Sequence, residues 1–337
     1  MNNSHDETTF TAQLDDRRDA ELLPVVDLDR DPQTVGRELD EVCREVGFFQ
    51  IIGHGIDTQI ADPAWDTARR FFDLSLAEKL TVERPSASYP YGYIPMGMEA
   101  LSKSLGSRGP GDLKEIFNIG PVDEPTHELI EGESDAYSPN LWPEMLPELR
   151  ETWTAYYRSM LGLSGRLLSL FARGLDLPPA FFDDKIQRST SALRAINYTA
   201  PDGDPQPGQL RAGAHTDYGI LTILRQEPSA GGLEVRDENA GEWVGIPSID
   251  GAFVVNIGDL MARWTNDRWN STLHRVVNPP VAERAGSRRQ SMPFFFNADF
   301  GAVIECLPTC VEPGEQPRYE PVVAGPHLLS KFAKTVG

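Results

Sequence analysis

Cysteine is scarce in this chain of 337 residues: Cys43, Cys306 and Cys310 are all it has. That odd number, with no pair at the spacing of a zinc knuckle, excludes a disulfide framework and suits free thiols in a reducing compartment. Long apolar runs are missing too, and none approaches the roughly 20 residues needed to cross a bilayer. Met1 to Arg18 is polar, with no basic segment leading into an apolar one. A secretory leader is therefore not expected, and a soluble cytoplasmic protein is. Positive charge is in deficit, with 31 Lys and Arg against 51 Asp and Glu, for a net charge of −20. Such a field repels phosphate backbones and anionic lipid, so no nucleic acid and no membrane are expected as partners. The acidity otherwise reads as an aid to solubility.

What is present is an ordinary globular composition, 40% hydrophobic and 24% charged, which predicts a packed core. Residues 1–20 lack apolar periodicity and are expected to be a disordered tail. From about Gln33 to Val46, Val35, Leu39, Val42 and Val46 recur at helical spacing, with Asp31 and Pro32 suited to the start and Gly47 to the stop. Phe48 to Ile52 then reads as a buried strand, and a second helix runs from Thr58 into Phe71 and Phe72. Between Pro85 and Pro143 the pattern weakens into loops, a place where substrate-facing segments often lie. A long amphipathic helix follows from about Leu146 to Gly174, with Trp153, Tyr156, Met160 and Phe171 on its buried face.

After Pro178 the signal changes to short strands. They are expected over Ala192–Tyr198, Ile220–Arg225, Leu233–Arg236, Trp243–Ile246, Ala252–Ile257, Thr272–Val277 and Ser291–Phe296, separated by Gly-, Asp- and Asn-rich turns. Short strands so evenly punctuated predict a sandwich or jelly roll rather than a parallel βαβ sheet. The fold class is mixed α+β, with helices before an all-β core.

Only six histidines occur: His5, His54, His127, His215, His274 and His327. His215-Thr216-Asp217 sets an imidazole and a carboxylate two residues apart, and in extended backbone both point to one face while Thr216 turns away. His274, on a later strand-like segment, supplies a third ligand. Two histidines and a carboxylate on one side of an ion leave the opposite positions open, the facial arrangement suited to ferrous iron and oxygen chemistry. Zinc with three protein ligands fits the same residue types. His54, in Gly53-His54-Gly55, reads as a hydrogen-bonded structural residue, and His127 and His327 as surface residues.

The surroundings of the triplet narrow this. His215-Thr216-Asp217-Tyr218-Gly219 is followed by Asn256-Ile257-Gly258-Asp259, Thr272-Leu273-His274-Arg275-Val276, Arg289-Gln290-Ser291 and Pro293-Phe294-Phe295-Phe296. Upstream lie Gly47-Phe48-Phe49-Gln50-Ile51-Ile52-Gly53-His54-Gly55 and Asp112-Leu113-Lys114-Glu115. In combination and order these closely resemble the isopenicillin N synthase-like family of non-haem iron, 2-oxoglutarate-dependent dioxygenases, over about Leu23 to Asp299. The resemblance implies a double-stranded β-helix (jelly roll) core with flanking N-terminal helices. It divides the chain into a supporting region at 23–130, a dioxygenase core at 189–299 and a C-terminal extension at 300–337. It implies Fe(II) on His215, Asp217 and His274, 2-oxoglutarate as co-substrate and O2 as oxidant. Arg289 and Ser291 match the family's Arg-x-Ser grip on the distal carboxylate, for which a guanidinium fork is well shaped. The segment from His274 to Arg289 is longer than in many members, which makes Arg284 a rival, although no serine stands two residues after it.

The implied reaction oxidises, by default hydroxylates, a C–H bond of a small-molecule substrate, with succinate and CO2 as co-products. An oxidase of the isopenicillin N synthase kind, needing no 2-oxoglutarate, is the alternative, and a non-catalytic metal-binding jelly roll a second. Asn197 and Tyr198 sit where the family often places polar groups near the co-substrate, with a purely structural role as at least an equal explanation for each. Tyr91, Tyr93, Arg194, Phe294 and Phe296 are candidates for the substrate pocket, with core packing as the equal explanation for each.

Overall fold

The computed structural model describes residues 23–106, 109–200, 203–228 and 231–336. The expected disordered tail lies outside them. β1 (Val25–Asp27) opens the chain, and Asp31 then caps α1 (Pro32–Glu45), accepting a hydrogen bond from the Thr34 N–H at 2.9 Å, with Pro32 at the first position. The turn into β2 (Phe48–Ile52) runs through Gly47 at φ 71°, where a Cβ would lie 1.9 Å from the Asn270 carbonyl oxygen. Only glycine fits there. α2 (Thr58–Asp73) and the single-turn α3 (Leu76–Leu80) follow.

The loop-rich stretch does contribute strands, β3 (Gly92–Ile94) and β4 (Glu115–Ile119), beside a 3₁₀ turn at Leu101–Leu105. β4 is buried at every position, so it has no polar alternation by which a half-exposed strand is recognised. α4 (Glu148–Gly174) is the long helix. β5 (Ala192–Tyr198), β6 (Ala212–His215), β7 (Leu221–Gln226), β8 (Leu233–Asp237), β9 (Glu242–Gly245) and β10 (Phe253–Ile257) come next. α5 (Asp259–Trp264), β11 (His274–Val276), β12 (Arg289–Phe296), a small pair β13 (Val303–Ile304) and β14 (Val322–Val323), and α6 (Ala324–Val336) complete the chain. β6 is not among the expected strands, since Ala-Gly-Ala has little β propensity.

The strands form a jelly roll of two facing sheets. The larger has the order β1-β2-β10-β7-β12-β5-β4-β3, and the smaller β6-β11-β8-β9. The N-terminal strands thus belong to the same sheet as those of the expected core region. Side chains alternate across the larger sheet. On its outer face Phe49, Ile51, Phe117, Leu193, Ile223, Val255, Met292 and Phe294 join one apolar cluster with Trp153, Tyr157 and Phe171 of α4. On its inner face Phe48, Ile116, Ile196, Tyr198 and Val254 meet Ala212, Leu233, Val235 and Val276 of the smaller sheet. Among the described residues no helix is long and apolar enough to cross a membrane.

Candidate metal centre

The ends of β6 and β11 lie side by side between the sheets. Antiparallel pairing sets His274 directly across from His215, and the two rings approach to 4.2 Å between centroids. Asp217 follows β6, and its Oδ1 lies 3.9 Å from Nε2 of each histidine. One ligand atom from each of the three residues falls within 4.8 Å of the others, and this is the one such cluster of His, Cys, Asp and Glu among the described residues.

The surroundings decide which atoms face inward. The Nδ1 atom of His215 lies 2.8 Å from the Gly213 carbonyl, and that of His274 lies 3.1 Å from the Thr272 carbonyl. A carbonyl only accepts, so each ring donates from Nδ1 and turns Nε2 inward as the atom available to an ion. The other oxygen of Asp217, Oδ2, accepts from Thr222 Oγ1 at 2.6 Å and Asn256 Nδ2 at 2.8 Å, which turns Oδ1 toward the histidines. Burial, then the neighbouring His274, pushes the His215 pKa down to about 3, so the ring is a neutral donor at physiological pH. Burial works to raise the Asp217 carboxyl, but His274, His215 and the bonds from Thr222 and Asn256 outweigh it and hold the group ionised. Two imidazoles and one carboxylate, gathered on one side, suit a divalent iron with open positions opposite.

Arg289 opens β12, paired with Tyr198 of β5. It is 2% exposed. Its Nη2 donates to Gln226 Oε1 at 2.7 Å, its guanidinium lies 5.1 Å from the Tyr198 ring centre, and its Nη1 is buried without a hydrogen-bond partner among the described residues. Burial lowers its pKa. An orphaned buried N–H of a cation is costly unless a ligand fills it, and a carboxylate is the matching acceptor. Ser291, two residues on, shares the inward face and is buried. Arg284 instead pairs with Asp204 at 2.6 Å outside the strands.

Strand alternation sorts the remaining candidates. Arg194 and Tyr198 face inward, and the Arg194 guanidinium donates to Asn118 Oδ1 at 2.7 Å, pairs with Glu99 at 3.1 Å and lies 5.5 Å from the Phe295 ring centre. Asn197 faces the other way, donating to Glu115 Oε1 at 2.7 Å and accepting from Arg288 Nε at 2.9 Å. Phe294 and Phe296 are likewise turned outward into the helix-facing core, where Phe294 meets Tyr157 edge-on at 5.2 Å. The inward aromatic of that strand is Phe295, so the expected lining is off by one position, and a one-residue step exchanges faces. Tyr93 packs outward, donating to Glu115 Oε2 at 2.6 Å. Tyr91 is buried with its hydroxyl on the Ala136 carbonyl at 2.6 Å. His54 stacks on Phe253 and contacts the Gly251 carbonyl at 3.0 Å, as a structural residue does, whereas His127 is half-buried against Glu133 rather than free on the surface.

Thr222, Asn256 and Gln226 do not stand out in the sequence as site residues. Their signal is a polar residue at the inward phase of an apolar strand, as in Val254-Val255-Asn256-Ile257.

Residues 190–298 match the model of the 2OG-Fe(II) oxygenase superfamily, and residues 23–145 that of the non-haem dioxygenase in morphine synthesis N-terminal family. A 2-oxoglutarate-Fe(II) type oxidoreductase, hxnY of Emericella nidulans, is 35% identical over 308 residues, 89% of this chain and 84% of that relative. The validamycin A dioxygenase of Streptomyces hygroscopicus subsp. limoneus is 33% identical over 322 residues, 92% and 85% of the two chains. The crystal structure of a 2OG-Fe(II) oxygenase family protein from Caulobacter crescentus superposes with a TM-score of 0.80 at 30% identity, covering 93% of this chain and 98% of that one.

Proposed function

Because this chain belongs to the 2OG-Fe(II) oxygenase superfamily, and is thus a 2-oxoglutarate-dependent dioxygenase that uses Fe(II) and O2, we propose which of its residues do the work and what outcome they favour. His215, Asp217 and His274 hold the iron through Nε2, Oδ1 and Nε2. The observation that carries this is the convergence of those three atoms with every competing polar atom on the same side chains already engaged. Arg289 presents its orphaned Nη1 to the distal carboxylate of 2-oxoglutarate, with the Ser291 hydroxyl as a second donor and Gln226 fixing the guanidinium. Ferrous iron, when bound, supplies activation of O2 coupled to decarboxylation of 2-oxoglutarate to succinate and CO2.

The protein's own part is to bind, orient and keep water out. The Tyr198 ring covers one side of the Arg289 guanidinium, which keeps the charge desolvated and directed. Arg194 and Phe295, facing the same interior, offer a donor and an apolar surface to a small-molecule substrate. We assign hydroxylation of a C–H bond as the outcome, in a soluble, cytoplasmic enzyme. The test is turnover of candidate metabolites with Fe(II), ascorbate, 2-oxoglutarate and isotopically labelled O2. One labelled oxygen in the product, with succinate formed in equal amount, is the expected result. A product lacking two hydrogens and carrying no label would replace hydroxylation with desaturation.

A further inference from the structure

β6 ends the strand order of the smaller sheet, so β11 satisfies only one of its edges. A buried N–H on the other edge needs a partner from elsewhere. For Gly213 the partner is Asp112, whose Oδ1 accepts from the Gly213 N–H at 3.0 Å while its Oδ2 accepts from the Leu101 N–H at 3.1 Å. Asp112 is 3% exposed, and the buried Lys114 ammonium lies 3.1 Å from Oδ2 and 2.8 Å from Glu99. Gly213 is tied at its other end as well, its carbonyl accepting from His215 Nδ1 at 2.8 Å. Residue 213 has no room to become anything else, since a Cβ there would lie 2.9 Å from Ser102 Cβ. The 101–105 turn therefore rests directly on the strand that carries His215.

We propose that Asp112 is a positioning residue for the metal centre. By fixing the Gly213 backbone it aims the His215 ring, and by holding Leu101 it docks the 101–105 turn against the same strand. A carboxylate is required because it offers one acceptor oxygen to each N–H, whereas an amide has a single acceptor and would set its NH2 against the second donor. The inference rests on the reading of His215 as a metal ligand.

Co(II) binding to the metal-free protein, followed by its visible absorption, separates the possibilities. Asp112→Asn is expected to weaken Co(II) binding by about 10- to 100-fold, as changes behind a ligating histidine do, and to alter the ligand-field bands. Glu115→Gln is the control, since Glu115 belongs to the same short motif but faces outward, where it holds Lys79, Tyr93 and Asn197. It is expected to lower the Tm while leaving the Co(II) affinity and spectrum unchanged. Should Asp112→Asn fail to fold, Asp112→Glu keeps both acceptors and the charge but shifts them by one methylene, and weaker Co(II) binding is again expected. Affinity and spectrum equal to wild type in the folded Asp112 variant would overturn the proposal. If the unaltered protein binds no Co(II), it is the metal reading that fails instead.

Discussion

Along β12, Gln290, Met292, Phe294 and Phe296 face the helices, whereas Arg289, Ser291 and Phe295 face the smaller sheet. In the outer set Met292, Phe294 and Phe296 are at most 1% exposed and packed against α4 and its neighbours, and Gln290 donates to the Trp65 carbonyl while its Oε1 has no partner among the described residues. The inner set is unfinished, with a buried cation whose Nη1 has no partner among the described residues and an aromatic that is only half-buried. On the proposed assignment outer positions answer for stability and inner ones for ligands, and substitutions can test how clean that division is.

The largest effect is expected at the metal end of the inner side. His274→Ala leaves two of three ligand atoms, so ferrous iron binding and turnover should both be lost, while the protein still folds because the larger, helix-facing apolar cluster does not include this residue. Iron quantified on purified protein, together with a thermal melt, checks this, and a variant that kept full activity would break the assignment. Next comes Phe294→Ala on the outer face, expected to cost about 3–5 kcal/mol of folding stability through the cavity it leaves. Phe295→Ala, one residue away but half-buried on the inner face, should cost markedly less. Denaturant midpoints measured side by side compare the two, and equal losses would erase the distinction between faces. The smallest effect of the three is kinetic. Arg289→Gln removes charge-assisted hydrogen bonds worth roughly 1.5–3 kcal/mol each. It should raise the KM for 2-oxoglutarate on the order of a hundredfold with iron still bound. Arg284→Gln, at a residue that pairs with the exposed Asp204, should change it little. A large effect from Arg284→Gln would mean the clamp is misassigned.

Much of this is legible locally. The helical period from Val35 to Val46, the punctuated strands after Pro178 and the i, i+2 spacing of His215 and Asp217 each follow from backbone geometry over a few residues, so a linear reading reaches them. Family motifs carry the reading further, to Arg289 and Ser291. Phe294 and Phe296 are misplaced by such a reading because, in an apolar run, nothing local marks which alternate residue faces the helices. β6 escapes it because its pairing with β11, not its Ala-Gly-Ala composition, makes it a strand.

Local sequence therefore determined the secondary structure periods, the two-residue spacing of His215 and Asp217 that the proposed metal site uses and the residue types able to hold a metal and a carboxylate. Tertiary structure alone decided that His274 meets His215 across a strand pair, that Thr222 and Asn256 turn the Asp217 carboxylate, and that Asp112 reaches Gly213. The reason is physical. Backbone geometry sets the phase of side chains within one strand, but which strands become neighbours depends on how two sheets and a helical layer bury their apolar faces together, and those partners lie far apart along the chain.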